Sequence, residues 1–456
     1  MLKELLAPEI QELLKQRRLA EVRDIVSEWE PPEVARLLAD LPPEEGIVLF
    51  RLLPRAQAAD VFAYLDPSLQ RTILDHLTSE RIRTLLEELD PDDRTALFEE
   101  LPGQVAQRLL NLLSVEERQE VLRLLGYPEG SVGRLMTPDY VAVRPHWTVE
   151  QALRHIRRMA RRAETINTIY VVDDSWKLLD EIPLQKLILA EPETRVESLI
   201  DYRVVALRTT DDQERAVSLM REYDRTVLPV VDQDGVLVGI VTVDDVLDVA
   251  VEEATEDIQK FGGMEALDTP YMSTPLPQML RKRAGWLSVL FISEMFTASA
   301  MAAFEHAIER VVMLAFFVPM VIASGGNSGS QAATLVIRAM TLGEITIRDW
   351  WKVMRRELVS GLLLGTILGA IGFLRVTLWE LLFDLYGTQW VSMAFTVALA
   401  LMGIVLWGTL IGSMLPFLLR RLGFDPAASS APFVATLVDV TGIVIYFTVA
   451  SWFFSL

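Results

Sequence analysis

The sequence predicts a multidomain chain: an all-α superhelical amino-terminal domain, an α/β tandem pair, and an α-helical membrane domain with five transmembrane helices. Three observations carry this. A 12-residue apolar repeat runs through the first 125 residues, the pattern turns to alternating strand and helix near Leu135, and long apolar runs dominate from Trp286 onward. The expected boundaries are 1–130 for the superhelix, 131–198 and 199–242 for the α/β modules, 243–280 for a connecting helix and linker, and 281–456 for the membrane domain.

A chain of 456 residues is too long for one ordinary domain. From Trp286 on there are nine Lys or Arg and ten Asp or Glu, so nearly all of the net charge of −20 lies in the first 285 residues. Such a surface repels nucleic acid and anionic lipid and attracts cations. The chain has no cysteine, which excludes disulfides and thiolate metal sites. The start, MLKELLAPEIQELLKQRR, lacks the apolar core of a secretory signal, so the amino-terminal half is expected in the cytosol. No nucleophile–base pair stands out, and an enzyme is not expected.

Trp29, Leu41, Leu53, Leu65, Leu77, Leu89, Leu101, Leu113 and Leu125 mark the repeat. Most are followed by a helix-start signal such as Asp66-Pro67-Ser68, Thr78-Ser79-Glu80 or Ser114-Val115-Glu116. Ser, Thr and Asp cap free N–H groups, and Pro tolerates the first turn. Each unit therefore reads as a short helix and a turn, stacking into a scaffold. His76 is its only histidine and reads as structural.

After Leu135-Met136-Thr137-Pro138 come a strand at Val141–Val143, a helix from Thr148, a strand at Thr168–Val172 and a turn at Asp173-Asp174. The order recurs at Val204–Leu207, Asp211–Arg221, Thr226–Val231 and Val236–Val241, with a last helix near Thr242. The run LPVVDQDGVLVGIVTVDDVLDV makes the pair resemble tandem CBS domains. The resemblance implies ribose contact at Gly239, Thr242 and Asp245, residues that serve equally as a helix cap. In the first copy Asp180 stands where Gly is usual, and Pro183 is expected to interrupt the strand.

Residues 243–262 place Val246, Leu247, Val249, Ala250 and Ile258 on one stripe and crowd the rest with acids. Like charges three or four apart destabilise a helix. Either this is a solvated face, or a divalent cation relieves the repulsion, since hard cations prefer carboxylate and water oxygens.

Five apolar segments, about 286–306, 311–338, 356–380, 390–419 and 428–455, reach the roughly 20 residues that span a bilayer. Arg281–Arg283, Arg338 to Arg356, and Arg420-Arg421 fall on one side, giving a cytosolic amino terminus. Asp439 lies near the midplane of the last segment. Ser324 to Gln331 are expected to break the second segment at similar depth, where glycine-rich backbone is tolerated along a water-filled path. Glu294 either lines that path or pairs inside the bundle.

Pro319, Gly325-Gly326-Asn327-Ser328-Gly329-Ser330-Gln331, Asp425-Pro426, Pro432 and Thr436-Leu437-Val438-Asp439-Val440-Thr441-Gly442 together resemble the MgtE family, as does the domain order. The resemblance implies a homodimer in the inner (plasma) membrane, with its amino-terminal half cytosolic. It implies a pore where Asp439 and the carbonyl of Ala435 hold hydrated Mg2+; Gly325, Gly326, Asn327, Glu294 and Thr436 are candidates to line it. It also implies gating by cytosolic Mg2+ at Asp92, Asp212, Glu214, Asp224, Asp245, Asp248, Glu256 and Asp257. Gln185-Lys186 and Arg225 replace nucleotide-contacting residues and speak against ATP; Ala431 removes a polar group near the pore mouth. The alternative is an ion-coupled secondary carrier for Mg2+ or another divalent cation such as Co2+ or Mn2+.

Overall fold

The structure, a computed structural model, describes residues 2–267, 271–272 and 274–454, with side chains from Leu6 on. Residues 268–270 and 273, in the expected linker, lie outside the described residues. The chain divides into two compact units, Met1–Glu252 and Glu253–Leu456.

In the first unit the repeat becomes helices that start every 12 residues: Pro31–Asp40, Pro43–Leu52, Arg55–Ala63, Pro67–His76, Ser79–Glu88, Pro91–Glu100, Gly103–Leu110 and Val115–Leu124. The start signals at Asp66, Thr78 and Ser114 cap their helices as expected, whereas Asp90 makes no side-chain cap bond. Asp66 accepts from the N–H groups of Ser68 (2.9 Å) and Leu69 (3.0 Å), and Ser114 and Glu117 form a capping box. Helices of 8–10 residues are unstable alone; they persist here by burying apolar faces in one continuous core. Several helices pack mainly on the next but one, as Pro31–Asp40 does on Arg55–Ala63 and Arg55–Ala63 on Ser79–Glu88. Leu65, Leu89 and Leu113 are buried, whereas Leu77 and Leu101 lie at the core's margin. The structural repeat is thus a helix pair, twice the sequence period.

Two three-stranded sheets follow: β1 (Ala142–Val143), β2 (Thr168–Val172) and β3 (Leu178–Pro183), then β4 (Leu207–Arg208), β5 (Val227–Val231) and β6 (Leu237–Thr242). In each the first pair is parallel, the second antiparallel, and a register shift falls at the matching place, Val171/Val172 and Val230/Val231. The segments that open each module are exchanged. Val132 and Met136 pack in the core of the second sheet, and Val196 in that of the first. Pro183 does not interrupt its strand. It ends β3 opposite Thr168 and starts the helix Leu184–Leu189, positions where a missing N–H costs nothing. Asp180 is buried, and its Oδ2 accepts from the N–H groups of Asp201 (2.7 Å) and Tyr202 (3.0 Å), tying the inter-module segment to β3.

The connecting helix, Val243–Phe261, leads into the second unit. Among the described residues there, four helical segments are long and apolar enough to cross a membrane: Leu276–Ala303, Ile347–Phe383, Gly387–Arg421 and Ala431–Phe454. A fifth long helix, Met313–Thr341, carries the glycine-rich stretch, whose polarity sets it apart. The expected break in it is absent: the helix runs unbroken through Ser324–Gln331. Glycine serves close approach here. A Cβ on Gly329 would stand 2.9 Å from the carbonyl oxygen of Gly408, and one on Gly412 would overlap the Gly329 carbonyl. The two helices therefore cross with backbones touching, and Ser328 Oγ shares a hydrogen bond with Thr409 Oγ1 at 2.7 Å.

Candidate functional site

The first unit gathers carboxylates. The first turn of helix Pro91–Glu100 supplies Asp92 and Asp93 behind Asp90; the start of the connecting helix supplies Asp244, Asp245 and Asp248. Asp92 Oδ1 is buried and has no hydrogen-bond partner among the described residues. Burial, then the charges of Asp245, Asp93 and Glu164, push the Asp92 carboxyl well above the usual range. Asp93 is pushed up to about 7 by burial and by Asp245, Asp90, Asp244 and Asp248. Glu164 rises to about 7 through burial and Asp90, Asp245 and Asp244, and Asp139 to about 6 through burial and Glu120. Asp245 rises to about 6 by burial, although the Thr242 hydroxyl donates to its Oδ2 at 2.7 Å and opposes the rise. Arg94 offsets part of this charge at Asp90 and Asp139, and Arg162 at Asp139; the remainder calls for a counter-ion. Among the described residues, no three acidic or imidazole groups close on one point as direct ligands. A cation that keeps most of its water, bridging pairs of carboxylates, fits such a set better than a stripped one.

Of the expected regulatory acids, Asp92, Asp245 and Asp248 come together here. Asp90, Asp93, Asp139, Glu164 and Asp244 join them, unassigned by the sequence. Asp93 and Asp244 adjoin assigned acids, but Glu164 sits in the loop before β2 and gives no local signal. Asp212 and Glu214 lie at the start of helix Gln213–Tyr223, and Asp224 caps its end with φ of 50°. About 16 Å of helix separates the two ends, too far for one ion. The nucleotide candidates Thr242 and Asp245 bond each other. Arg225 pairs with Glu181 at 2.8 Å, and Lys186 donates to the Leu199 carbonyl at 2.6 Å, so both replacement cations serve packing.

In the second unit the end of the connecting helix is tied down. Lys260 Nζ pairs with Asp425 at 2.7 Å and with Glu256. The Thr341 hydroxyl donates to Asp257 at 3.3 Å, and burial and the nearby Asp425 push the Asp257 carboxyl up. Gly263, at φ +75°, lets the chain turn against Trp286 and Pro432, where a Cβ would come within 3.3 Å of Pro432.

Asp439 lies eight residues, about 12 Å, into helix Ala431–Phe454. It is half-buried and, among the described residues, accepts no hydrogen bond. Gly326 faces it: a Cβ there would stand 3.4 Å from that of Ala435 and 3.8 Å from Asp439 Oδ1. Asn327 is exposed on the same helix, and Glu294 lies within electrostatic reach of Asp439. Gly325 instead packs toward Ile404 and Val438. The Thr436 hydroxyl donates to the Phe433 carbonyl at 2.9 Å.

Three family models match: a divalent cation transporter domain named MgtE at residues 318–449, the MgtE intracellular N domain at 29–130, and CBS domains at 132–192 and 196–252. The magnesium transporter MgtE of Thermus thermophilus is 47% identical over 324 residues, 71% of this chain and 70% of that protein. That of Bacillus subtilis is 35% identical over 329 residues, 72% and 71% of the two chains. The crystal structure of the cytosolic domain of the Mg2+ channel MgtE in complex with ATP matches 54% of this chain and all of its own, at 45% identity and a TM-score of 0.52. The soluble part of a magnesium transporter matches at 30% identity, with a TM-score of 0.52 over 55% of this chain.

Proposed function

We propose that this chain, a member of the MgtE family of magnesium transporters, passes Mg2+ across the inner membrane as a channel that cytosolic Mg2+ closes. The observation that carries the transport reading is the half-buried Asp439 carboxylate on an apolar helix, without a hydrogen bond among the described residues, beside the small surfaces of Gly326 and Ala435. Mg2+ gives up its water reluctantly, so a carboxylate that holds no protein hydrogen bond among the described residues suits an ion held through its water shell. The Ala435 carbonyl adds an acceptor for those waters; Asn327, Thr436 and Glu294 border the path. An acid at this depth in an apolar span is costly unless it serves an ion. Two copies, each with five spans including Met313–Thr341, form one pore between them. The protein is a transporter and not an enzyme.

The gating reading rests on the carboxylates of the first unit and on Glu256, Asp257 and Asp425 of the second. Repulsion within each set loosens it when Mg2+ is scarce; a bound cation cancels that repulsion and tightens the set, with Asp212, Glu214 and Asp224 as further ligands. The pairing of Arg225 with Glu181 and of Lys186 with the Leu199 carbonyl speaks against ATP contacts at these two positions. Recordings from lipid bilayers separate channel from carrier: discrete Mg2+ currents are expected, and their absence with a dependence on a counter-transported ion favours the carrier.

A further inference from the structure

The helical repeat holds a cavity that transport does not use. It measures about 630 Å3 and opens beside the turns that precede helices Arg55–Ala63 and Ser79–Glu88. Arg23, Arg51, Arg55 and Arg81 line it, against the single acid Glu80. Residues 1–130 contain fifteen Lys or Arg and twenty-six Asp or Glu, so this clustering of cations runs against the sign of its domain. All four arginines are exposed, and none is in an ion pair among the described residues. Four guanidinium groups lining one cavity give it a positive potential that suits an anion.

The local backbone suits the same ligand. Helix Arg55–Ala63 begins at the cavity behind Pro54 with no side-chain cap, leaving its first N–H groups and the positive end of its dipole to an anion. The Arg51 guanidinium donates to the His76 carbonyl, and that of Arg81 to the Arg51 carbonyl at 3.3 Å. These bonds orient two guanidinium groups while leaving each with donors to spare, since each carries five N–H groups. Arg23 and Arg55 make no side-chain hydrogen bond among the described residues. Leu53 and Leu77 supply an apolar wall. The volume falls within the roughly 300–1,000 Å3 of small-molecule sites and exceeds what one simple ion fills.

We propose that this cavity binds a phosphate-bearing anion of more than one negative charge, gripped by Arg23, Arg51, Arg55 and Arg81 through forked, charge-assisted hydrogen bonds. The full chain in phosphatidylcholine nanodiscs, free of Mg2+, is titrated with inorganic pyrophosphate in a calorimeter. Saturable binding is expected, weakening as KCl rises. The variant Arg23→Gln/Arg55→Gln should bind at least tenfold more weakly, and Arg23→Lys/Arg55→Lys, which keeps the charge but loses the fork, should fall between. Repeating the titration in phosphatidylglycerol nanodiscs names the source. Equal affinity assigns a soluble anion, and loss of binding there assigns a lipid headgroup competing for the same arginines. Absence of saturable binding to the wild type, or equal affinity in a Gln variant that melts at the wild-type temperature, overturns the proposal; if the Gln pair misfolds, an unweakened Lys pair does so.

Discussion

At the scale of single residues, the carboxyls of the first unit make the protein's stability depend on pH in a definite direction. Asp93 and Glu164 at about 7, and Asp139 and Asp245 at about 6, lie above their ordinary values because burial and like charges disfavour the ionised forms. A raised folded pKa means the native state holds its protons more tightly. The stability it contributes is full at low pH and is lost as pH climbs through 6 to 7. Without divalent cations the melting temperature should fall between pH 5.5 and 8; saturating Mg2+ should reduce that fall, because the ion replaces the protons. Thermal unfolding in EDTA and in Mg2+ checks this, and a flat EDTA profile contradicts it. Lys260 is the second case. It stands among Glu256, Asp257 and Asp425 as an internal cation. Lys260→Met should increase the Mg2+-dependent gain in melting temperature and raise flux at low Mg2+. These roles were only partly legible in the sequence. Asp92, Asp245 and Asp248 sit in acidic runs that advertise themselves. Glu164 and Asp139 do not, because folding alone brings them beside Asp90.

At the scale of elements, the helical repeat was legible because its period is written in evenly spaced leucines and caps, whereas its pairing was not. A 12-residue period cannot reveal that neighbouring helices take alternate layers. The glycine run illustrates a deeper ambiguity. Glycine both weakens a helix and permits another backbone to touch it. The partner that decides between these at Gly325 and Gly329 is the pair Gly408 and Gly412, some eighty residues away in the chain. A second seam repeats the device: a Cβ on Gly365 would lie 2.8 Å from the Met402 carbonyl oxygen, and one on Gly369 2.7 Å from that of Ala398. Backbone cannot yield as a flexible side chain does, so Gly412→Leu or Gly369→Leu should destabilise the membrane part by more than the roughly 1–3 kcal/mol of ordinary overpacking. Gly103→Leu, with open space around it, should cost about 1 kcal/mol or less. Melting of the purified variants in detergent compares them, and equal effects would remove the close-packed seam.

At the scale of the whole molecule, domain order and family were legible from the motif around Asn327 and Asp439 together with the tandem α/β pattern, and the family matches cover the same stretches. The exchanged module segments were not, since Val132 and Val196 are ordinary apolar residues until the sheets assemble. The proposed gating belongs to this scale, because it would sum many weak repulsions. Replacing Asp248, Glu256 and Asp257 together with Asn, Gln and Asn should leave transport running at cytosolic Mg2+ levels that silence the wild type; normal shut-off in that variant would locate sensing elsewhere. The most direct test is Mg2+ uptake into proteoliposomes by wild type and Asp439→Ala, with internal Mg2+ kept low. Loss of at least tenfold in uptake, with the variant's melting temperature preserved, is the expected result; uptake equal to the wild type would contradict a pore that depends on the Asp439 carboxylate.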